Sequence, residues 1–161
     1  MSCYDSFGIQ RGSEGVMAVK IYFAHPINTY GTFIEYACLS LLRSLFPDAE
    51  IVNPSDDEHK QMVKTLKAAD PEANVMSYFL ELVNGCDAVV VLPFSDGMIG
   101  AGAYDEAVVG KEAGGSVWII SLDPLSISRA RDRDLHSGRK LSIEDTRARV
   151  YYPDRTIRPY I

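Results

Sequence analysis

The feature that most constrains the fold is an unbroken apolar run, AVVVL, at residues 88–92. A run without polar alternation is typical of a parallel strand that helices cover on both faces. The run leads through a glycine-containing segment into a helix-forming stretch that is expected to begin with acids, with Glu106 about one turn inside it. This stretch therefore predicts an interior strand of an α/β sheet, followed by a crossover helix.

The rest of the chain continues the alternation of strands and helices. β-Branched and aromatic residues predict further strands at 16–23, 49–52 and 116–122. The spacing of apolar side chains predicts helices at 30–46, 56–69 and 71–84, the last with Asp70 as its cap and Pro71 as its first residue. The pattern predicts a doubly wound, three-layer α/β domain with a mainly parallel sheet of about five strands, flavodoxin-like or Rossmann-like.

Both ends of the chain are less regular. Residues 1–15 are polar and are expected to form a flexible lead-in to a single domain that spans the 161 residues. Residues 126–136 are predicted to be helical, and residues 141–149 contain a capped short helix. Segments 150–152 and 156–160 are predicted to close an edge of the sheet.

Composition restricts the class of protein and its partners. The hydrophobic fraction is 47% and the net charge is −6; the mean hydropathy is −0.05. These values indicate a globular protein with no membrane segment, and the charge argues against a nucleic-acid partner. Cys3, Cys38 and Cys86 lack CxxC spacing, which indicates neither disulfides nor zinc and favours a cytoplasmic location.

Positive charge is concentrated near the end of the sequence. Residues 129–158 contain nine Lys or Arg and five Asp or Glu. A solvated surface of mixed charge explains this segment. The alternative is a phosphate contact from Arg147, Arg149 or Arg155.

A candidate site is expected where the first predicted strand and the strand at 87–92 end side by side. Ligands of open α/β sheets bind at this edge, near the point where the strand order reverses. A helix N-terminus there offers free N–H groups and a partial positive charge, so the carboxylate of Glu106 is expected to stay ionised. Such a glutamate suits attack on carbon or stabilisation of a developing positive charge. The side chains expected at the site are those of Tyr22, His25, Asn28, Thr29, Asp96, Asp105 and Glu106, with backbone N–H groups from Gly97, Gly100 and Gly102.

Motifs of several other chemistries are missing from the sequence. It has no GxxxxGK[ST] loop, no GxGxxG after the first strand, no HExxH and no GxSxG. No metal or organic cofactor is therefore expected. Each candidate residue also has a purely structural explanation: a dipole partner for Glu106, core packing for Tyr22, packing beside Pro26 for His25, a turn for Asp96, solvent exposure for Asp105, and helix caps for Asn28 and Thr29.

Two segments, KIYFAHPI and CDAVVV…GAGAYDEAVVGKEAGGSVWII, resemble the nucleoside 2-deoxyribosyltransferase family and its nucleotide N-glycosidase relatives. The likeness covers roughly residues 19–121 and consists of a strand that ends Tyr-x-Ala-x-Pro and a Gly-x-x-x-Glu helix start. It implies that Glu106 is a nucleophile that Tyr22 orients, and that a glycosyl-enzyme forms from a nucleoside or its 5′-monophosphate. It also implies a homodimer or larger assembly. Asp96 or Asp105 is expected to be the second acid.

The chain departs from the family at Gly100, where a carboxylate or a phosphate-binding serine is usual, at His25, where glycine is common, and at Tyr104, where a small residue is usual. Three alternatives stay open. One is a nucleotide-binding or sensing module in which Glu106 holds a ribose hydroxyl. The others are a lysine-decarboxylase-like phosphoribohydrolase, whose PGGxGTxxE signature is absent, and a flavodoxin-like interaction domain.

Overall fold

A five-stranded sheet organises the chain. The computed structural model describes residues 18–149 in full and the backbone of residues 3–4, 10–11, 150–151 and 157–158. The strands are β1 (Cys3–Tyr4), β2 (Gln10–Arg11), β3 (Lys20–Ala24), β4 (Glu50–Val52), β5 (Ala88–Val91), β6 (Ser116–Leu122), β7 (Leu125–Arg129), β8 (Val150–Tyr151) and β9 (Ile157–Arg158). The helices are α1 (Phe33–Leu45), α2 (Asp57–Ala69), α3 (Val75–Asn84), α4 (Ala101–Glu112) and α5 (Ile143–Ala148), with 3-10 turns at Ile27–Thr29 and Ser137–Arg139.

The order of the strands in the sheet is β4-β3-β5-β6-β7. β4, β3, β5 and β6 are parallel, and β7 is antiparallel to β6. The chain runs outward from β3 to β4 and then returns to the other side of β3 at β5. The strand order therefore reverses between β3 and β5, the place where open α/β sheets bind ligands. The expectation of a mainly parallel, five-stranded α/β fold is confirmed.

Alternate residues of the inner strands face two separate cores. Ile21 and Phe23 of β3 pack with apolar residues of α1. Tyr22 of β3 and Val89 of β5 pack on the opposite face, with residues of α3 and α4. Helices on both faces explain why the β5 sequence is apolar throughout. None of the helices that the structure describes is long and apolar enough to cross a membrane.

Helix α4 lies very close to the sheet at Gly110. A Cβ atom at this position would lie 2.4 Å from Val89 Cγ2 and 3.3 Å from Val83 Cγ1. Gly102, near the other end of the helix, has no such neighbour, since its Cβ would meet only Met76 at 3.8 Å. The close contact at Gly110 therefore sets the height of α4 above β5.

Two interior predictions of secondary structure were wrong. Asp70 does not start a helix; it ends α2, and α3 begins only at Val75. Residues 126–136 are not helical, because β7 pairs with β6 in a tight hairpin. Leu125 and Ile127 pack against the core while the side chains between and after them are exposed, which is the two-residue period of a strand.

The predictions for the ends of the sheet and the chain also need correction. β3 starts at Lys20, and residues 18–19 before it are not in a strand. β1 pairs with β2, so the described part of residues 1–15 has structure. β8 pairs with β9 in a separate sheet and does not close an edge of the main one. The other residues of these terminal segments lie outside the described residues.

The packing of α4 gives a matched test of stability. We expect Gly110→Ala to lower the free energy of unfolding by about 1–3 kcal/mol, because the added methyl overlaps Val89. Gly102→Ala should instead raise it by about 0.5–1 kcal/mol, because alanine is the better helix residue and the space is open. Urea unfolding followed by circular dichroism measures both. Equal effects of the two substitutions would contradict the close approach at Gly110.

Candidate functional site

Glu106 lies on the face of α4 that packs against the sheet. Ala103, Ala107 and Gly110 share this face and are buried, so the helical spacing brings Glu106 inward with them. Only 7% of Glu106 is exposed, and Tyr22 is fully buried. The Tyr22 hydroxyl donates a hydrogen bond to Glu106 Oε1 over 2.9 Å. The structure thus brings together the two residues that the resemblance pairs, at the reversal point between β3 and β5.

The carboxyl of Glu106 is held in its neutral form at pH 7. Burial raises its pKa to about 8, the Tyr22 hydrogen bond lowers it, and neighbouring Asp105 raises it. The acids do not start α4: Glu106 is the sixth residue after the Gly100 cap, beyond the first turn where the helix dipole is strong. The expectation of an ionised carboxylate is therefore wrong, because desolvation outweighs the dipole.

Glu106 acts electrostatically on two buried tyrosines. Burial, followed by the charge of Glu106, raises the pKa of Tyr22 far above its usual value, so Tyr22 remains a hydrogen-bond donor. Burial also raises the pKa of Tyr30, and Glu106 and Glu35 raise it further. Tyr30 was absent from the residues expected at the site. Its position in the turn after β3, among other candidates, is the signal that would have included it.

His25 belongs to a different buried network. Its Nδ1 lies 2.9 Å from the Phe23 carbonyl oxygen, and its Nε2 lies 2.6 Å from Glu35 Oε2. Since a carbonyl only accepts, Nδ1 carries a hydrogen and donates it. Glu35 also accepts hydrogen bonds from Ser55 Oγ and the Gly31 N–H. Both nitrogens of His25 are therefore satisfied within the protein, and its predicted contact with substrate stays a prediction.

Glu35 was missed by the sequence analysis. Burial would raise its pKa, but the hydrogen bonds from His25 and Ser55 outweigh burial and hold the pKa below its usual value. The available signal was an acid between Ile34 and Cys38 on the inward face of a predicted helix. A buried acid in such a position needs donors, and these lie on other elements.

The turn after β3 holds its own polar groups. Thr29 Oγ1 donates to the Pro26 carbonyl over 2.7 Å, and Thr29 is fully buried. Asn28 Nδ2 donates to the carbonyl oxygens of Thr146 and Arg149. Asn28 therefore links this turn by hydrogen bonds to α5 and to Arg149, which follows α5. Thr29 stabilises the turn by a hydrogen bond within it.

The two other candidate acids form ion pairs with the basic segment. Asp96 Oδ1 accepts from the Met98 N–H in a turn, and its Oδ2 lies 2.8 Å from Arg149. Asp105 Oδ1 lies 2.7 Å from Lys140 Nζ. Both carboxylates are roughly half exposed, so water screens these pairs. The Arg149 guanidinium also lies over the Phe94 ring, 5.1 Å from its centroid. The alternative role of Arg149 as a phosphate contact stays a prediction.

The N-terminus of α4 is capped by a side chain of α5. The Ala101 N–H donates to Thr146 Oγ1 over 3.0 Å. A Cβ at Gly100 would lie 3.0 Å from Thr146 Cγ2, so glycine lets the two segments approach. Gly97, with φ +81°, forms the turn before the helix. The Ala101 N–H was not among the expected donors. Of those, the Gly97 N–H already donates to the Phe94 carbonyl oxygen over 2.8 Å.

Within residues 18–149, no group of three or more His, Cys, Asp or Glu side chains is arranged to hold a metal ion. The groups described at the site are the Glu106 carboxyl and the Tyr22 hydroxyl. Glu106 presents one oxygen to Tyr22, and its second oxygen is the one that could act on a ligand.

Comparisons with known proteins give limited similarity. No family model matches the chain, and no curated protein matches it. One similar solved structure is a 2-desoxiribosyltransferase from Leishmania mexicana, with a TM-score of 0.45 and 18% sequence identity. The match covers 74% of this chain and 87% of that chain. The fold class rests on the sheet itself.

The buried carboxyl predicts a pH-dependent stability. Glu106 binds its proton more tightly in the folded chain than in the unfolded chain. Its contribution to the free energy of unfolding is therefore complete below about pH 4.5 and is lost as the pH rises to about 8. Glu106→Gln cannot ionise at this position. We expect its free energy of unfolding to rise relative to that of the wild type by about 1.4 kcal/mol for each pH unit in that window. Urea unfolding at several pH values measures the difference.

The matched control is Glu112→Gln, at the exposed end of the same helix. Its difference from the wild type should not follow this pH dependence. A Glu106→Gln difference that stays constant between these pH values would show that Glu106 is ionised in the folded protein.

Proposed function

We propose that this protein cleaves or transfers at the N-glycosidic bond of a nucleoside or nucleoside 5′-monophosphate, with Glu106 as the nucleophile. The observation that supports this most is the buried Tyr22–Glu106 hydrogen bond at the point where the strand order reverses. A carboxyl there is shielded from water and held by one oxygen. This is an arrangement that favours attack by the other oxygen on a bound sugar.

The proposed reaction has two displacements. Ionised Glu106 attacks the anomeric carbon through Oε2, the bond to the base breaks, and the base leaves with the bonding electrons and takes up a proton. Water or a second base then displaces Glu106 from the sugar, and the two inversions give overall retention. The Tyr22 hydroxyl keeps its hydrogen and steadies Oε1 in both steps.

The proton for the leaving base is proposed to come from water, with Asp96 or Asp105 as the acid that takes it up and passes it to the base. Each is engaged with a cation, Asp96 with Arg149 and Asp105 with Lys140. Exposed pairs of this kind contribute only about 0–1 kcal/mol, so a bound substrate can replace one of them. Of the two, Asp105 precedes Glu106 in α4 and affects its pKa.

A second candidate is a binding module that holds a nucleoside without reacting. It is favoured by the raised pKa of Glu106, about 8, since a neutral carboxyl donates a hydrogen bond to a ribose oxygen instead of attacking carbon. The two candidates differ in which protonation state of Glu106 is the working one.

Base release distinguishes them. We expect the protein to release free base from at least one member of a panel of nucleosides and 5′-monophosphates, measured by chromatography with and without an acceptor base. Glu106→Gln should lower the rate by about a thousandfold or more, and Tyr22→Phe by about 10–100-fold, because the first removes the nucleophile and the second only its positioning. Glu112→Gln should leave the rate unchanged.

Binding of a nucleoside without base release, in protein shown to be folded, would select the binding module. An undiminished rate in Glu106→Gln would exclude Glu106 as the nucleophile.

The pH dependence of kcat/KM tests the protonation state. If the ionised carboxyl attacks, kcat/KM should rise about tenfold per pH unit and level off above about pH 8. Tyr22→Phe should move this midpoint upward, because the Tyr22 hydrogen bond lowers the pKa of Glu106. A rate that falls between pH 6 and pH 8 would mean that the neutral carboxyl is the active form.

A further inference from the structure

A cavity, named here the β4 cavity, lies over the edge strand β4 on the α3 face of the sheet. Its volume is about 370 Å³, within the range of small-molecule sites. The residues that line it are Lys20, Glu50, Ile51, Val52, Glu58, His59, Tyr78, Glu81, Leu82, Gly85 and Cys86. Neither Tyr22 nor Glu106 is among them, so the β4 cavity is separate from the site around Glu106.

The β4 cavity combines an apolar wall with a buried imidazole. Val52 of β4 and Leu82 of α3 also belong to the packed layer on this face of the sheet. His59 of α2 is only 6% exposed, and its Nδ1 lies 2.6 Å from the Tyr78 hydroxyl. The Tyr78 ring is tilted against the imidazole, with centroids 5.9 Å apart. The β4 cavity therefore offers apolar side chains beside the polar atoms of His59 and Tyr78.

Both ring nitrogens of His59 have a neighbour in the protein. Nε2 lies 3.4 Å from Glu58 Oε1. Nδ1 shares a hydrogen bond with the Tyr78 hydroxyl, and the tautomer of the imidazole decides which of the two donates. The Tyr78 oxygen keeps lone pairs that can accept a hydrogen bond from a ligand.

The other donors of the β4 cavity are already engaged. Lys20 Nζ lies 3.8 Å from Glu50 Oε2. The Cys86 thiol donates to the Leu82 carbonyl over 3.3 Å, and burial raises its pKa to about 11, so it is a neutral thiol at pH 7. The carboxylates of Glu58 and Glu81 remain, and both are solvent-accessible at the rim. The cavity thus presents acceptors and an excess of negative charge.

We propose that the β4 cavity binds a small organic cation, in which an amidinium or primary ammonium group is carried on an apolar body. The cationic N–H groups donate to Tyr78 Oη and to the carboxylates of Glu58 and Glu81, and the apolar body lies along Val52 and Leu82. The positive charge complements the acidic rim. This site does not depend on the reaction proposed for Glu106.

Three probes of nearly the same shape test the proposal: benzamidine, benzamide and benzoate, which are cationic, neutral and anionic at pH 7. Isothermal titration calorimetry should detect benzamidine, with benzamide at least about fivefold weaker and benzoate not bound, as expected when one partly exposed charge interaction is lost. Benzamidine binding should also weaken as salt is added.

Variants locate the site. Glu58→Gln combined with Glu81→Gln should weaken benzamidine binding about tenfold, and Tyr78→Phe should weaken it without removing the ring. Glu112→Gln is the matched control, because it removes an exposed acid of α4 outside the cavity. Glu106→Gln should bind benzamidine as the wild type does. Circular dichroism and the melting temperature establish that each variant is folded.

Several results would overturn the proposal. Equal affinity for benzamidine and benzamide would show that the charge is not recognised. An affinity for benzamidine equal to that of the wild type in folded Glu58→Gln/Glu81→Gln protein would place the probe elsewhere. Absence of benzamidine binding to the wild type would show that the β4 cavity takes no such cation. None of these results bears on base release by Glu106, so the two proposals fail independently.

Discussion

The close approach of α4 to the sheet is the constraint on which the candidate site depends. Ala103, Ala107 and Gly110 form a strip of small residues on the inward face of α4, and at Gly110 the helix backbone reaches Val89. Packed at this height, the helix carries the Glu106 carboxyl to the Tyr22 hydroxyl in the interior of the protein. Larger residues in the strip would lift the helix, and the hydrogen bond would lengthen or be lost. The same sequence feature therefore sets both the packing and the position of the carboxyl.

Glu106 and Glu35 show how neighbours decide the charge of a buried acid. Both are buried, at 7% and 4% exposure. Glu35 accepts hydrogen bonds from His25, Ser55 and the Gly31 N–H, and its pKa is lowered. Among the described residues Glu106 accepts from the neutral donor Tyr22, and its pKa rises to about 8. The cost of removing a carboxylate from water is thus offset at Glu35 and only partly offset at Glu106.

How much could be predicted from sequence depended on whether the signal was local. The apolar run of β5 and the strand pattern of β6 were sufficient to place both strands, because their periodicity reflects burial directly. The prediction of a helix at 126–136 was wrong because the many charged residues of this segment obscured the short strand alternation of Leu125 and Ile127. The pairing of Asp96 with Arg149 joins residues 53 positions apart, and Glu35 meets His25 from another element. Such contacts depend on the three-dimensional packing and leave no local pattern.

The basic segment also explains why no cation within residues 18–149 pairs with Glu106. Arg149 pairs with Asp96 and Lys140 with Asp105, so the aspartates take up these charges. Thr146 from the same segment accepts a hydrogen bond from the first N–H of α4. This N–H is one of the free donors that would otherwise favour an anion at the helix N-terminus. In the part of the chain that the structure describes, no Lys or Arg forms an ion pair with Glu106. Its ionisation is therefore governed by burial and by the Tyr22 hydroxyl, and a ligand that develops positive charge beside it would supply the missing partner.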